Sequence, residues 1–291
     1  MSIYKSYCNE FIDQYSVDLM KFKRVGHRLE PSKEVESYRE EMKNAEFIIK
    51  NLTNAVKFKI PACDQLLPED ENPLLMARQF VEEANLPYPI IAMEMDVGVA
   101  GAAQNCESIL LVKQEEDSIS IFTLIKADDW TIMHQNEGDL PVHIELNRKT
   151  FQAKMVGFDF GDISDQKRGE ITNWCLGVPL RSVLNLLCIL SCSNTRIDDH
   201  PEKPSRLKND MRKRKKKLPF FEFKILTIES NKPQQGSSSG KGSHASPRVH
   251  LRRGHIRKLP TKNVWVNACV VGDKAKGVIQ KDYLVKGGSG D

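Results

Sequence analysis

Apolar residues recur at two different spacings along this chain, and the change of spacing predicts its layout. At the start, Tyr4, Tyr7, Phe11, Tyr15 and Leu19 lie three or four residues apart, the repeat of a helix over residues 3–24. Pro31 and Ser32 open a second helix, where Glu34 and Glu36 suit the positive N-terminal end and Met42, Phe47 and Ile48 would face inward. Proline and acid content predicts a loop over residues 57–73. Pro73 fits the first turn of a third helix running to about Asn85, which the following Leu86-Pro-Tyr-Pro ends.

Strand spacing follows. Residues 90–96 read as a strand. Residues 109–113 and 119–126 read as adjacent antiparallel strands, because the acidic turn Gln114-Glu-Glu-Asp joins two apolar runs. Residues 130–134, 142–146 and 151–156 are expected to extend the same sheet, and residues 157–162 to form a turn-rich break. Residues 178–193 are apolar nearly all round and predict a buried helix. Cys188 and Cys192 lie four apart on it, as core packing would place them. Residues 194–201 leave the helix, residues 220–228 alternate like a strand, and residues 231–242 compose a flexible linker. Residues 255–259 and 264–271 are expected to pair across the turn that starts at Pro260, and residues 283–285 to add a last short strand.

The predicted fold class is therefore α+β: N-terminal helices with a central antiparallel sheet, a buried helix and a basic C-terminal β module. The expected divisions are an α+β body over 1–200, a basic run, strand and linker over 201–242, and a basic module over 243–286. Residues 287–291 read as a linker or tag remnant.

Charge sharpens that division. Residues 1–200 carry 21 basic and 32 acidic side chains, and residues 201–291 carry 22 and 7. An acidic body thus bears a basic, anion-binding end, unless the two ends simply attract each other. Seven scattered cysteines without a CxxC pair suit small buried thiols in a reducing cytoplasm. The first residues have no long apolar stretch, which predicts no signal peptide. No run approaches 18 apolar residues, which predicts no membrane span.

Two cationic segments carry the candidate chemistry. Arg212, Lys213, Arg214, Lys215, Lys216 and Lys217 are six consecutive cations that stay solvated unless a polyanion relieves their repulsion. The second segment holds His244, Arg248, His250, Arg252, Arg253, His255, Arg257 and Lys258 with no acid among them. Guanidinium forks fit phosphate oxygens, and Gly254 would allow close backbone approach. The same residues permit catalysis: His250 and His255 could act as acid and base on an RNA phosphodiester, with an arginine for the phosphorane charge. Arg248 and His255 also meet a loose Arg-x6-His spacing. A structural use, bonding carbonyls and acids of the body, is the third reading. Phosphate binding ranks first and catalysis last.

A metal is not expected. The histidines lack a neighbouring cysteine pair, and their cationic surroundings disfavour a divalent ion. Glu94 with Asp96, and Asp159 with Asp162, could build a two-metal carboxylate cluster, but the spacing is common and reads as turn and strand-edge acids. No Walker loop, nucleophile elbow or dinucleotide fingerprint occurs, so no cofactor is predicted.

The segment from Pro247 to His255, Pro-Arg-Val-His-Leu-Arg-Arg-Gly-His, with Val264-Trp-Val and Val270-Val-Gly after it, resembles the C-terminal signature of a family of phage and plasmid proteins that includes a type V-A anti-CRISPR. The resemblance is clear over about residues 243–285 and faint upstream, at Leu86-Pro-Tyr-Pro and the strand over 220–228, and it leaves the first 80 residues unmatched; His250, Arg252, Arg253, Gly254 and His255 match the signature residue by residue. It implies a mobile-element protein acting in the bacterial host cytoplasm against host defence. In that anti-CRISPR, inhibition acts on expression of the effector nuclease: the emerging N-terminal peptide is recognised and the message is destroyed. The implied partners are a host defence protein or its nascent chain, with RNA or the ribosome, and an oligomer stays open.

The leading reading is a phage-encoded counter-defence protein with a protein-recognising body and an RNA- or ribosome-binding basic end. A metal-independent ribonuclease using His250 and His255 is the alternative, and a structural phage accessory protein is the third class.

Overall fold

A computed structural model describes residues 5–28, 30, 32–60, 73–97, 106–126, 130–132, 143–156, 165–229, 248–252, 255–266, 269–271 and 273–278. Helix α1 (Tyr7–Val25) starts where the Ser6 hydroxyl accepts from the Asn9 N–H, and it buries Phe11, Ile12 and Tyr15 along one stripe. Helix α2 (Lys33–Asn54) is capped in the same way by Ser32, which accepts from Val35 N–H. Strand β1 (Val56–Lys59) and helix α3 (Pro73–Phe80) follow. Next come β2 (Ile90–Val97), β3 (Cys106–Gln114), β4 (Ser118–Lys126), β5 (Trp130–Ile132), β6 (His143–Asn147) and β7 (Ala153–Val156). Helix α4 (Asp165–Leu190), β8 (Thr195–Asp199), α5 (Arg206–Arg214) and β9 (Phe223–Ile228) lead to five short strands. These are β10 (Arg248–Arg252), β11 (His255–Lys258), β12 (Asn263–Val266), β13 (Cys269–Val271) and β14 (Asp273–Val278).

Nine strands build the main sheet among the described residues, in the order β7-β6-β4-β3-β2-β1-β9-β8, with β5 on β4. Its pairs are antiparallel except at β1, which runs parallel to both β2 and β9. Successive residues of a strand face opposite sides, and β2 divides the core accordingly. Ile91, Met93 and Met95 join Leu110, Val112, Ile121 and the α4 residues Leu180, Val183, Leu184 and Leu187 on one side. Ala92 joins Ile109, Leu111, Phe122 and Leu124 beneath α1 and α2 on the other. The sheet is the middle of three layers, and each fully buried aliphatic side chain contributes about 1.5–3 kcal/mol.

The α+β reading holds, and the antiparallel hairpin of residues 109–126 is found as β3 and β4, with Val112 opposite Ile121. Six local readings change. The buried helix expected over 178–193 runs from Asp165 to Leu190, and the strand expected over 264–271 divides into β12, which pairs with β11, and β13, which pairs with β10. The expected loop from residue 57 begins with β1, too short and too lysine-rich to look like a strand, but held between two neighbours. The third helix stops at Phe80 rather than Asn85. Residues after α4 form β8 instead of only leaving the helix. Phe47, expected inward, is 40% exposed, with its ring edge-on to Phe122 at 5.5 Å. The predicted turn at 157–162, linker at 231–242 and strand at 283–285 lie outside the described residues.

Among the described residues, two buried charges of the main sheet, Glu94 and Lys57, close helix ends. Glu94 accepts from Cys8 N–H at 2.7 Å and from the Ser6 hydroxyl at 3.1 Å, at the positive end of α1. It is thus an interior cap and not the strand-edge acid its spacing suggested. Burial raises its carboxyl above the usual range, against the pull of the Cys8 and Tyr7 N–H groups. Lys57 donates to the carbonyls of Leu52, Thr53 and Ala55 at the negative end of α2, and its ammonium lies 3.7 Å from the centre of the Phe221 ring. Burial pushes Lys57 down to about 8.

Candidate anion-binding platform

The run of six cations is not a loose tail. Its first three members, Arg212, Lys213 and Arg214, are the last turn of α5, where positive charge meets the negative end of the helix dipole. The helix then closes in a Schellman motif: Lys217 N–H donates to Arg212 O and Lys216 N–H to Lys213 O, both at 2.9 Å. The residue at the left-handed position of that motif is Lys216, with φ 56°. Glycine is the usual occupant there, so a lysine is kept at a position that disfavours a side chain.

A polar clamp ties the run to α1. The Arg212 guanidinium forks onto Asp13 with two 2.9 Å hydrogen bonds, and Lys217 reaches the same carboxylate at 3.0 Å. Arg212 Nε also donates to Leu218 O at 2.5 Å, and its guanidinium lies 4.5 Å from the Phe220 ring centre. One turn back on α1, buried Asn9 donates to Pro219 O at 3.0 Å and accepts from Phe221 N–H at 3.0 Å. Asn209 of α5 accepts from Phe220 N–H at 2.8 Å. The run therefore divides in two. Arg212 and Lys217 serve the clamp. Lys213, Arg214, Lys215 and Lys216 are exposed, as is Lys208 one turn earlier, and no described acid pairs with any of these five.

Beside this platform lies an open cavity of about 270 Å³, lined by Lys208, Met211, Arg212, Lys215, Lys217 and Phe220. Charge counting along the chain finds the run and sees Lys208 only as a cation preceding it, outside the candidate site. It misses Asn9 and Asp13 altogether, because neither is basic and both lie about 200 residues before the run. The spacing of Leu207 and Met211 after Ser205 is the available signal for the helix.

The second cationic segment forms strands. β10 pairs antiparallel with β13, placing His250 opposite Val271 and Arg252 opposite Cys269. Arg248 and Val249 also pair with β14 in parallel. β11 pairs antiparallel with β12, placing His255 opposite Val266 and Arg257 opposite Val264. Both antiparallel ladders keep one common register on either side of Arg253 and Gly254, which lie outside the described residues. His244 also lies outside them, and the side chains of Arg248, His250, Arg252 and His255 are not among those described. Arg257 is exposed.

The β11–β12 hairpin is fastened to the body. Asn263 donates to Phe80 O at 2.8 Å and to the Ser191 hydroxyl at 3.1 Å, and Asn194 brackets Trp265 by accepting from its N–H and donating to its carbonyl. Lys258 donates to Gln79 O at the end of α3. Ile256 packs on the α4 side of the core, and Trp265 is buried.

Among the described residues, no group of three or more histidine, cysteine or acidic side chains is placed to hold a metal ion. No helix among them is long and apolar enough to cross a membrane. Asp96, the neighbour of Glu94 in the carboxylate pair, accepts from the Tyr7 hydroxyl at 2.7 Å.

The family model of the AcrVA2-like proteins, described as the anti-CRISPR type V subtype A2 family, matches residues 62–272. The chain belongs to the AcrVA2-like family. It is a phage anti-CRISPR protein, an inhibitor directed at host defence components. The AcrVA2-like match begins before α3 and ends just after β13, so it takes in most of the main sheet, α4, α5 and the first four C-terminal strands, and leaves α1, α2 and β1 outside. It also reaches far upstream of residues 243–285, where the resemblance was drawn. No curated protein and no solved structure matches the chain.

Proposed function

We propose that this anti-CRISPR protein engages a host protein or ribonucleoprotein and that its basic C-terminal part contacts RNA or the ribosome. One observation carries the reading. Five cations, Lys208, Lys213, Arg214, Lys215 and Lys216, are exposed without a described acidic partner, on a helix held to the body by Asp13 and Asn9. Like charges crowded in this way repel one another, and phosphates relieve the repulsion. A lysine at the left-handed position of the helix cap adds a cation where glycine would be more stable. The arginines and histidines of β10 and β11 are proposed to extend the same contact.

The test is fluorescence anisotropy with a single-stranded RNA oligomer over a series of salt concentrations. Wild type is expected to bind in the micromolar range at low salt and to weaken steeply as salt rises. Changing Lys208, Lys213, Arg214, Lys215 and Lys216 to glutamine, with Arg212 and Lys217 kept so that the clamp survives, should flatten the salt slope. An unchanged slope sinks the platform as a phosphate contact. RNA that is degraded in EDTA, and spared when His255 is changed, would favour the ribonuclease instead.

A further inference from the structure

Helix α5 is docked the reverse way for a surface helix. Such a helix ordinarily hides its apolar stripe and shows its polar face. Here the side turned to the body is polar, with Asn209 and Arg212 hydrogen-bonded to the Phe220 N–H and to Asp13. The apolar residues face outward: Leu207 is 76% exposed and Met211, one turn later on the same face, is 57% exposed. Leu218, just past the helix, is 37% exposed. No residue of α5 is buried. Met211 also lines the 270 Å³ cavity with Lys208 and Lys215.

We propose that the outer face of α5 is a docking ridge for an acidic amphipathic protein segment, whose apolar side chains cover Leu207 and Met211 while its carboxylates meet the surrounding cations. Two features of the surface select this occupant. The exposed Lys208, Lys213, Arg214 and Lys215 call for negative charge, and no described acid of the chain supplies it. Phosphates would use the cations, but the aliphatic Leu207 and Met211 offer no aromatic face on which a base could stack, so this pair is left to an apolar partner. An aliphatic pair one turn apart is the pattern that an amphipathic segment recognises, and methionine adapts its shape to such a partner. The inference rests on the function proposed above and deepens it by giving the chemistry of its protein partner; it shares Lys208, Lys213, Arg214 and Lys215 with the RNA contact and differs from it in using Leu207 and Met211.

The experiment uses the full chain and three fluorescent probes. The first is a helical peptide of glutamates with leucines at i, i+3, i+4 and i+7. The second is the same peptide with serine for leucine, and the third is oligouridine. The leucine peptide should bind at least about tenfold more tightly than the serine peptide. The double variant Leu207→Gln, Met211→Gln should lose that preference and hold oligouridine within about twofold of wild type, since exposed substitutions leave the fold intact. Thermal melting checks the fold. Equal binding of the two peptides, no binding of either, or a leucine preference that survives the double variant overturns the ridge. Loss of oligouridine binding by wild type would sink the RNA reading alone.

Discussion

Helices α4 and α5 sit in one chain and are held by opposite means. Along α4, Leu180, Val183, Leu184, Leu186 and Leu187 are buried against the sheet. Along α5 nothing is buried, and attachment rests on a guanidinium, a carboxylate and two asparagines. Apolar burial stabilises in proportion to area and tolerates no water. A polar clamp contributes less but fixes direction, because a forked arginine–carboxylate pair has one good geometry. The first helix supports the fold, and the second presents a surface.

The comparison breaks most visibly in the core. Leu184→Ala should cost about 2–5 kcal/mol in urea unfolding, through lost burial and the cavity left behind. A cost under about 1 kcal/mol would mean that α4 is not the anchor described.

The thiols of the same helix end give a pH test. Burial pushes Cys188 up to about 12, with Cys192 adding to it, and burial pushes Cys192 up to about 11. Both folded values lie above that of an unfolded thiol, about 8.5. Their contribution to stability is therefore complete below about pH 8.5 and is lost as pH rises through 11 and 12. In native protein at pH 8.5, alkylation of both cysteines mapped by mass spectrometry should be at least about a hundredfold slower than in the unfolded chain. Comparable rates would contradict the burial.

At the clamp the expected effect is smaller. Asp13→Ala leaves Arg212, only 13% exposed, without its partner, and should cost about 1–3 kcal/mol. If α5 is held by this pair, hydrogen exchange in residues 206–217 should also quicken, while the β3–β4 hairpin stays protected. Lys216→Gly should act in the other direction, raising stability by about 0.5–1 kcal/mol by relieving the left-handed lysine, and an RNA salt slope measured on it should fall slightly. The smallest effect belongs to the ridge: Leu207→Gln should change stability by no more than about 0.5 kcal/mol, because that side chain is mostly exposed. A large loss would show that the ridge is covered within the chain itself.

The legible parts of the fold are those with local periodicity. β3 and β4 carry apolar runs across an acidic turn, and the second half of α4, from Val178, is apolar nearly all round, so each announces itself within about fifteen residues, whereas the polar first half of α4 does not. Nor does β1. Its four residues Val-Lys-Phe-Lys look polar and loop-like, and it is a strand because β2 and β9 pair with it on either side. Glu94 looked like an ordinary strand acid for the same reason, since the helix end it caps lies 86 residues away. The platform was half legible: charge counting found the run from Arg212 to Lys217, and its helix went unread because Leu207 and Met211 alone are too few apolar positions to show a helical period.

By itself, then, the sequence determined the α+β class, the strand pairing around residue 115, the buried second half of α4 and the likeness to an anti-CRISPR family. Only the tertiary structure decided which cations of the run are available. Arg212 and Lys217 are claimed by an aspartate about 200 residues earlier in the chain, while the four between them remain open to solvent. Six adjacent cations are chemically alike along the chain. They become different only when folding brings one carboxylate within hydrogen-bond reach of two of them, an ordering that local sequence cannot encode.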